Sequence, residues 1–139
     1  MGTIKRFEEI VAWQEARVLA RIVYGLTRGG MLSKDFGMRD QIQRAAVSVG
    51  SNIAEGFARS GNKEFLNFLW IAHGSAAEVQ SQLYTIFDAG YITEAEFSAV
   101  YGCAKRCSTL VYKLIQSLKK TSYPGEKHRL TSPNFSNPS

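Results

Sequence analysis

The sequence predicts an all-α protein, an antiparallel up-down-up-down four-helix bundle over residues 1–120. Apolar residues recur at spacings of three and four along almost all of that stretch, the period of a helix with one buried face. Turn-forming clusters near residues 29–37, 59–62 and 90–93 cut it into four segments of similar length, and no alternating pattern of useful length marks a strand.

The first helix is expected from Phe7 to Arg28, with Phe7, Ile10, Val11, Val18, Leu19, Ile22, Val23 and Leu26 on its apolar face. Gly29-Gly30 ends it, because glycine takes the left-handed conformation of a helix C-terminus at little cost. Ser33, Asp35 and Gly37 are polar starts for the second helix, which runs to Ala58. Its apolar set, Ile42, Ala45, Ala46, Val49, Ile53, Ala54 and Phe57, is rich enough in alanine to let a neighbouring backbone come close. Arg59-Ser60-Gly61-Asn62 forms a turn in which Ser60 or Asn62 can cap the third helix. That helix buries Phe65, Phe68, Leu69, Ile71, Ala72, Ala76, Val79, Leu83 and Ile86 and stops at Gly90. Thr93-Glu94-Ala95-Glu96 has the form of a capping box and opens the fourth helix, whose core face includes Phe97, Val100, Tyr101, Ala104, Leu110, Val111, Leu114, Ile115 and Leu118. Lys119 and Lys120 suit the negative end of its dipole. From Thr121 to Ser139 the Ser, Pro and Asn content reads as a disordered tail. Helices of this length are about 30–40 Å long at about 1.5 Å per residue and need only short turns between them.

The 139 residues, 45% of them hydrophobic, suffice for one core, and 21% charged residues of both signs argue against a disordered polyelectrolyte. Seventeen Lys and Arg outweigh twelve Asp and Glu, giving a formal charge of +5 that permits attraction to polyanions. Residues 93–120 carry five basic against two acidic side chains, whereas residues 61–92 carry one against three. Two cysteines, Cys103 and Cys107, do not make a secreted disulfide framework. The N-terminus has no apolar leader, and the longest uncharged run, residues 65–77, is too short to span a bilayer. A cytoplasmic protein with no membrane association is the expectation.

Catalytic chemistry finds little support. A metal in a helical bundle needs three or more converging ligands, and the two histidines, His73 and His128, lack the Glu-x-x-His spacing that would supply them. His73, Ser75 and Glu78 lie close on one helix, but side chains two apart point in different directions, and a place in a helix seam is the simpler reading. No glycine-rich phosphate loop is present. The expectation is therefore a non-enzyme with no cofactor and no metal.

Binding has more to work with. Arg44, Ser48, Asn52 and Glu55 form one stripe beside the alanine-rich face of the second helix, fit to be hydrogen-bonded between helices or across subunits. Basic residues interleaved with aromatics are the usual footprint of nucleic-acid contact. The candidates are Arg39, Arg44, Arg59 and Lys63 around the second and third helices, and Lys105, Arg106 and Lys113, with Lys119 and Lys120, on the fourth. A solvated helix face explains such residues equally well. Trp13, Tyr24, Trp70, Tyr84, Tyr91, Tyr101 and Tyr112 exceed what a thin bundle encloses, and self-association is the simplest way to cover them.

The run Gln41-Ile42-Gln43-Arg44-Ala45-Ala46-Val47-Ser48, followed by Ser51-Asn52-Ile53-Ala54-Glu55-Gly56, resembles the signature of the four-helix bundle proteins encoded in intervening sequences of bacterial 23S rRNA genes, the S23 ribosomal protein family. Phe7 to Gln14, Lys63 to Leu69 and Ile71 to Glu78 extend the likeness, which covers residues 4–120. The resemblance implies a ring-shaped homo-oligomer, a pentamer, with no assigned enzymatic activity and an association with nucleic acid. It places structural roles on Gln41, Arg44, Ser48, Asn52, Glu55, Gly56, Ser75 and Glu78. The chain is also similar to the accessory proteins of diversity-generating retroelements, which engage nucleic acid and a reverse transcriptase. One departure is Cys103-Ala104-Lys105-Arg106-Cys107, basic where many relatives are acidic. The leading expectation is a bundle that binds RNA or DNA through basic surfaces. A protein-interaction adaptor is the alternative, and a small enzyme using His73 or the cysteines is the third reading.

Overall fold

The computed structural model describes residues 3–121 and contains four long helices, with no β-strand among those residues: α1 (Val11–Thr27), α2 (Phe36–Ala58), α3 (Asn62–Asp88) and α4 (Glu94–Lys120). Each helix packs on the next in sequence, and α4 packs back on α1. The core between them holds Leu19, Val23, Ile42, Ile53, Phe65, Leu69, Leu83, Ile86, Val111, Ile115 and Leu118, all sealed from solvent. Cross-helix contacts fall at matched levels. Thr27 meets Gln43, Ser48 meets Ser75, Asp35 meets Tyr91, His73 meets Ser108, and Asn62 meets Thr121. The expected tail lies, from residue 122 onward, outside the described residues.

The first helix departs from expectation at its start. Phe7–Glu9 is a separate 3-10 turn, and Ile10 is extended (φ −79°, ψ 120°) before α1 begins. Ile10 is fully buried, and the break lets Phe7 fold back edge-on against Trp13, with ring centroids 5.0 Å apart. Gln14 Nε2 donates to the Glu8 carbonyl at 2.8 Å and satisfies part of the turn. A second 3-10 turn, Leu32–Lys34, follows Gly30, whose φ of 63° reverses the chain.

Of the three polar starts for α2, Asp35 is the one used. Its Oδ1 accepts from the Met38 amide at 3.1 Å, and its Oδ2 accepts from the Tyr91 hydroxyl at 3.0 Å. That second bond, donated to a carboxylate, raises the proton affinity of the Tyr91 phenol. Asp35 thus caps α2 and ties it to the turn after α3. Asp35→Ala is expected to cost about 1–2 kcal/mol, the usual loss of a cap, read as a lowered urea midpoint at unchanged slope.

The start of α3 corrects the expectation of a side-chain cap. Neither Ser60 nor Asn62 plays that part: Gly61 occupies the cap position with φ 92°, a backbone conformation glycine adopts without strain. Asn62 is instead buried as the first residue of the helix, and its Nδ2 donates to the Thr121 carbonyl at the end of α4. The far end of α3 follows the sequence. Gly90 has φ 78°, and the amides of Tyr91 and Gly90 return to the carbonyls of Ile86 and Phe87, the Schellman arrangement. The capping box of α4 is complete in both directions, Glu96 N to Thr93 Oγ1 at 3.1 Å and Thr93 N to Glu96 Oε1 at 2.8 Å.

Candidate functional site

The residues that carried the resemblance separate into two groups. Ser48, Asn52, Gly56 and Ser75 lie between α2 and α3. Ser48 Oγ and Ser75 Oγ are 2.8 Å apart, and Asn52 Nδ2 donates to both the Ser48 hydroxyl and the Ser48 carbonyl at 2.8 Å. Four residues further along, a Cβ on Gly56 would stand 2.6 Å from the Phe68 Cβ and 3.0 Å from the Phe65 ring. Gly56 therefore lets the two helices come close at this level, and the serine–asparagine cluster satisfies polar groups placed between them. Of these stripe residues Ser48 bonds across to α3, while the bonds of Asn52 stay within α2.

Gln41, Arg44, Glu55 and Glu78 are exposed. Gln41, Arg44, Ala45, Ser48 and Glu78 line a shallow groove between α2 and α3, and Arg44 and Ser48 also border a wider one with Tyr24, Asp40, Gln43, Val47, Ser51 and Asn52. Val47 and Ser51 continue into a mainly apolar depression lined also by Phe7, Trp13, Ala16, Ala20, Gly50 and Ala54, with Arg17 among them. The outer face of α1 and α2 is thus one band that mixes small and aromatic side chains with Arg17, Asp40, Gln43 and Arg44. Arg44 has no carboxylate partner among the described residues.

The basic candidates are not gathered into one groove, and three of them already face a carboxylate. Arg39 bonds Asp40 at 3.3 Å and the Ser33 carbonyl, and lies over the Phe36 ring. Arg59 bonds Glu55 at 2.8 Å, approaches Glu64 at 3.9 Å and covers Phe68. Arg106 reaches across to Glu15 on α1 at 3.0 Å, and that bond raises the proton affinity of its guanidinium. Lys63, Lys105, Lys119 and Lys120 are exposed and make no ion pair among the described residues, while Lys113 is half-buried. Residues 97–120 contain five Lys and Arg and no Asp or Glu, so α4 beyond its first turn is uniformly positive.

The aromatic residues also sort by place. Trp13, Tyr91 and Tyr101 are half-buried, whereas Tyr24, Trp70, Tyr84 and Tyr112 keep 40–52% of their surface exposed. The α3/α4 seam holds two ring clusters. In one, His73 lies 5.7 Å from Trp70 and 6.1 Å from Tyr112, with Lys119 Nζ 5.5 Å above the Trp70 ring. In the other, Tyr84 lies 5.0 Å from Phe97 and 5.7 Å from Tyr101, and its hydrogen bond with Tyr101 raises its phenol proton affinity.

The chemistry considered for His73 and the cysteines takes a different shape from the one considered in sequence. His73 Nε2 meets Ser108 Oγ across the seam at 3.1 Å, while Ser75 turns to the opposite side of α3 and bonds Ser48. Cys103 and Cys107 are fully buried in the core, with Cys103 Sγ 3.7 Å from Glu15 Oε2. A hydrogen bond from Cys107 lowers the proton affinity of Cys103, and that bond to Cys103 together with burial holds Cys107 firmly as a thiol. Among the described residues no group of three or more His, Cys, Asp and Glu is placed to hold a metal ion, and no helix is long and apolar enough to cross a membrane. Sequence reading missed the Glu15–Arg106 and His73–Ser108 pairs, which join residues 91 and 35 positions apart. Helical period places each residue on a face but does not say which face it meets.

Four helices packed in a closed cycle, with a polar cluster between α2 and α3, define an all-α protein of four helices. The model of the 23S rRNA-intervening sequence protein family matches residues 8–123, and the chain belongs to that family. The chain is also similar to the crystal structure of a protein with unknown function from the S23 ribosomal protein family of Bacteroides thetaiotaomicron. The two are 28% identical with a TM-score of 0.69, over 76% of this chain and 99% of that one. No curated protein matches.

Proposed function

We propose that the protein is a non-catalytic, cytoplasmic, self-associating bundle of up-down-up-down topology that binds RNA or DNA through its basic surface. The matched levels of the cross-helix contacts support the topology, since residue numbers rise on one helix as they fall on its neighbour. The band of α1 and α2, with Val47 and Tyr24 exposed in it, supports self-association, and a ring of five copies is the assembly that the family resemblance implies. The observation that carries nucleic-acid binding is the distribution of unpaired charge. Arg39, Arg59 and Arg106 are committed to carboxylates, which leaves Arg44, Lys63, Lys105, Lys119 and Lys120 as exposed cations with no ion pair among the described residues, and no acidic residue stands between 97 and 120.

Light scattering with absorbance detection tests both parts. A mass near five chains is expected in wild type, falling toward one chain in Val47→Glu, which places a charge in the band. Titration with ribosomal RNA fragments and single-stranded DNA at low salt is expected to show association that weakens steeply as salt rises. A monomer in wild type would remove the assembly, and no association at low salt would remove the nucleic-acid role.

A further inference from the structure

We propose that the α3/α4 seam around Trp70 and Tyr112 is a stacking platform for single-stranded nucleic acid, with Lys63, Lys105 and Lys119 taking its phosphates; this rests on the nucleic-acid reading above. On α4, Lys105, Tyr112 and Lys119 are spaced seven residues apart, and on α3, Lys63 and Trp70 share the same spacing. Seven residues are nearly two helical turns, so each set lies on one face with a step of about 10 Å. Trp70 and Tyr112 meet across the seam with ring centroids 6.4 Å apart, and Lys119 sits over Trp70. The rings are thereby flanked by cations along the seam on both sides. Trp70 and Tyr112 are 43% and 46% exposed, and none of the three lysines has a carboxylate partner among the described residues.

This pattern fits a single strand better than a duplex, because stacking needs an unpaired base face and the cations run along one narrow seam. A base that displaces the Lys119 ammonium from the Trp70 ring leaves that ammonium beside the nucleotide's own phosphate. His73, held edge-on to Trp70 and bonded to Ser108, fixes the floor beneath the two rings.

Only two tryptophans are present, so Trp13→Phe makes Trp70 the sole indole reporter in the full-length chain. Adding a fluorescein-labelled twelve-nucleotide oligothymidylate at low salt is expected to quench Trp70 emission and raise the label's anisotropy, while a duplex of equal length binds more weakly and leaves emission unchanged. Trp70→Ala with Tyr112→Ala should weaken strand binding about tenfold or more at unchanged circular dichroism and mass. Replacing the three lysines with alanine should flatten the slope of log K against log salt by about 2. Binding that survives loss of both rings, or a duplex that binds equally well, would overturn the platform while leaving a nucleic-acid role intact. A drop in mass on loss of the rings would overturn it by making the seam a subunit contact. No association of either probe in wild type would bring down the underlying reading as well.

Discussion

Gly56→Ala is expected to destabilise the protein by about 1–3 kcal/mol, although alanine is the better helix former, and Gly56→Val is expected to prevent native packing of α2 on α3. The reason is local. A Cβ at position 56 would sit 2.6 Å from the Phe68 Cβ, an atom fixed to the backbone that no rotamer change can move away. Helix propensity alone predicts a gain of up to about 1 kcal/mol, so the sign of the measured change separates the two effects. Phe68→Ala should not rescue the variant, because it keeps the offending Cβ. Phe68→Gly should recover part of the loss against its own single-variant background. Thermal unfolding followed by circular dichroism reads all four, and a Gly56→Ala variant as stable as wild type would mean that α2 and α3 can separate at this level without cost.

The same contact shows what sequence could and could not tell. Four helices, their approximate ends, the Gly90 stop and the Thr93–Glu96 box were legible, because each depends on residues within a few positions of one another. Alanine on α2 signalled close approach, and Gly56 belonged to the recognisable run, but only its distance from Phe68 says why a larger residue cannot stand there. Ile10 followed the helical period and still broke the helix, because its burial and the Phe7–Trp13 contact outweigh propensity at a helix end. Asn62 looked like a cap and became a buried tie to the end of α4, a choice made by a residue 59 positions away.

The candidate surface was legible only as a list of residue types. Composition pointed to basic side chains, yet Arg39, Arg59 and Arg106 turned out to be matched with acids, two of them close in sequence and one on another helix. Glu55 and Arg59 stand at the i, i+4 spacing of a helical ion pair and could have been read as one. Trp70 and Tyr112 were singled out separately as aromatic excess. That they face each other across one seam, between lysines, depends on the pairing of α3 with α4, which periodicity does not fix.

Phe65→Ala is expected to be the most damaging single truncation in α3, at about 3–5 kcal/mol, while Trp70→Ala, five residues further on, is expected to cost far less. Phe65 is fully buried, lies edge-on to Phe57 at 5.8 Å and fills the space that Gly56 leaves open, so its removal creates a cavity lined by side chains that cannot collapse into it. Trp70 keeps 43% of its surface in solvent and gives up its contacts with His73, Tyr112 and Lys119 without opening the core. Urea titration of both variants at one fixed protein concentration makes the comparison, since self-association would add a concentration-dependent share to each value. Equal losses would mean that Trp70 is a core residue held in place for stability. A large loss for Phe65 beside a small one for Trp70 would show that a large aromatic ring stands on the surface of α3 without being needed for folding, which is the condition under which its exposure calls for a binding partner.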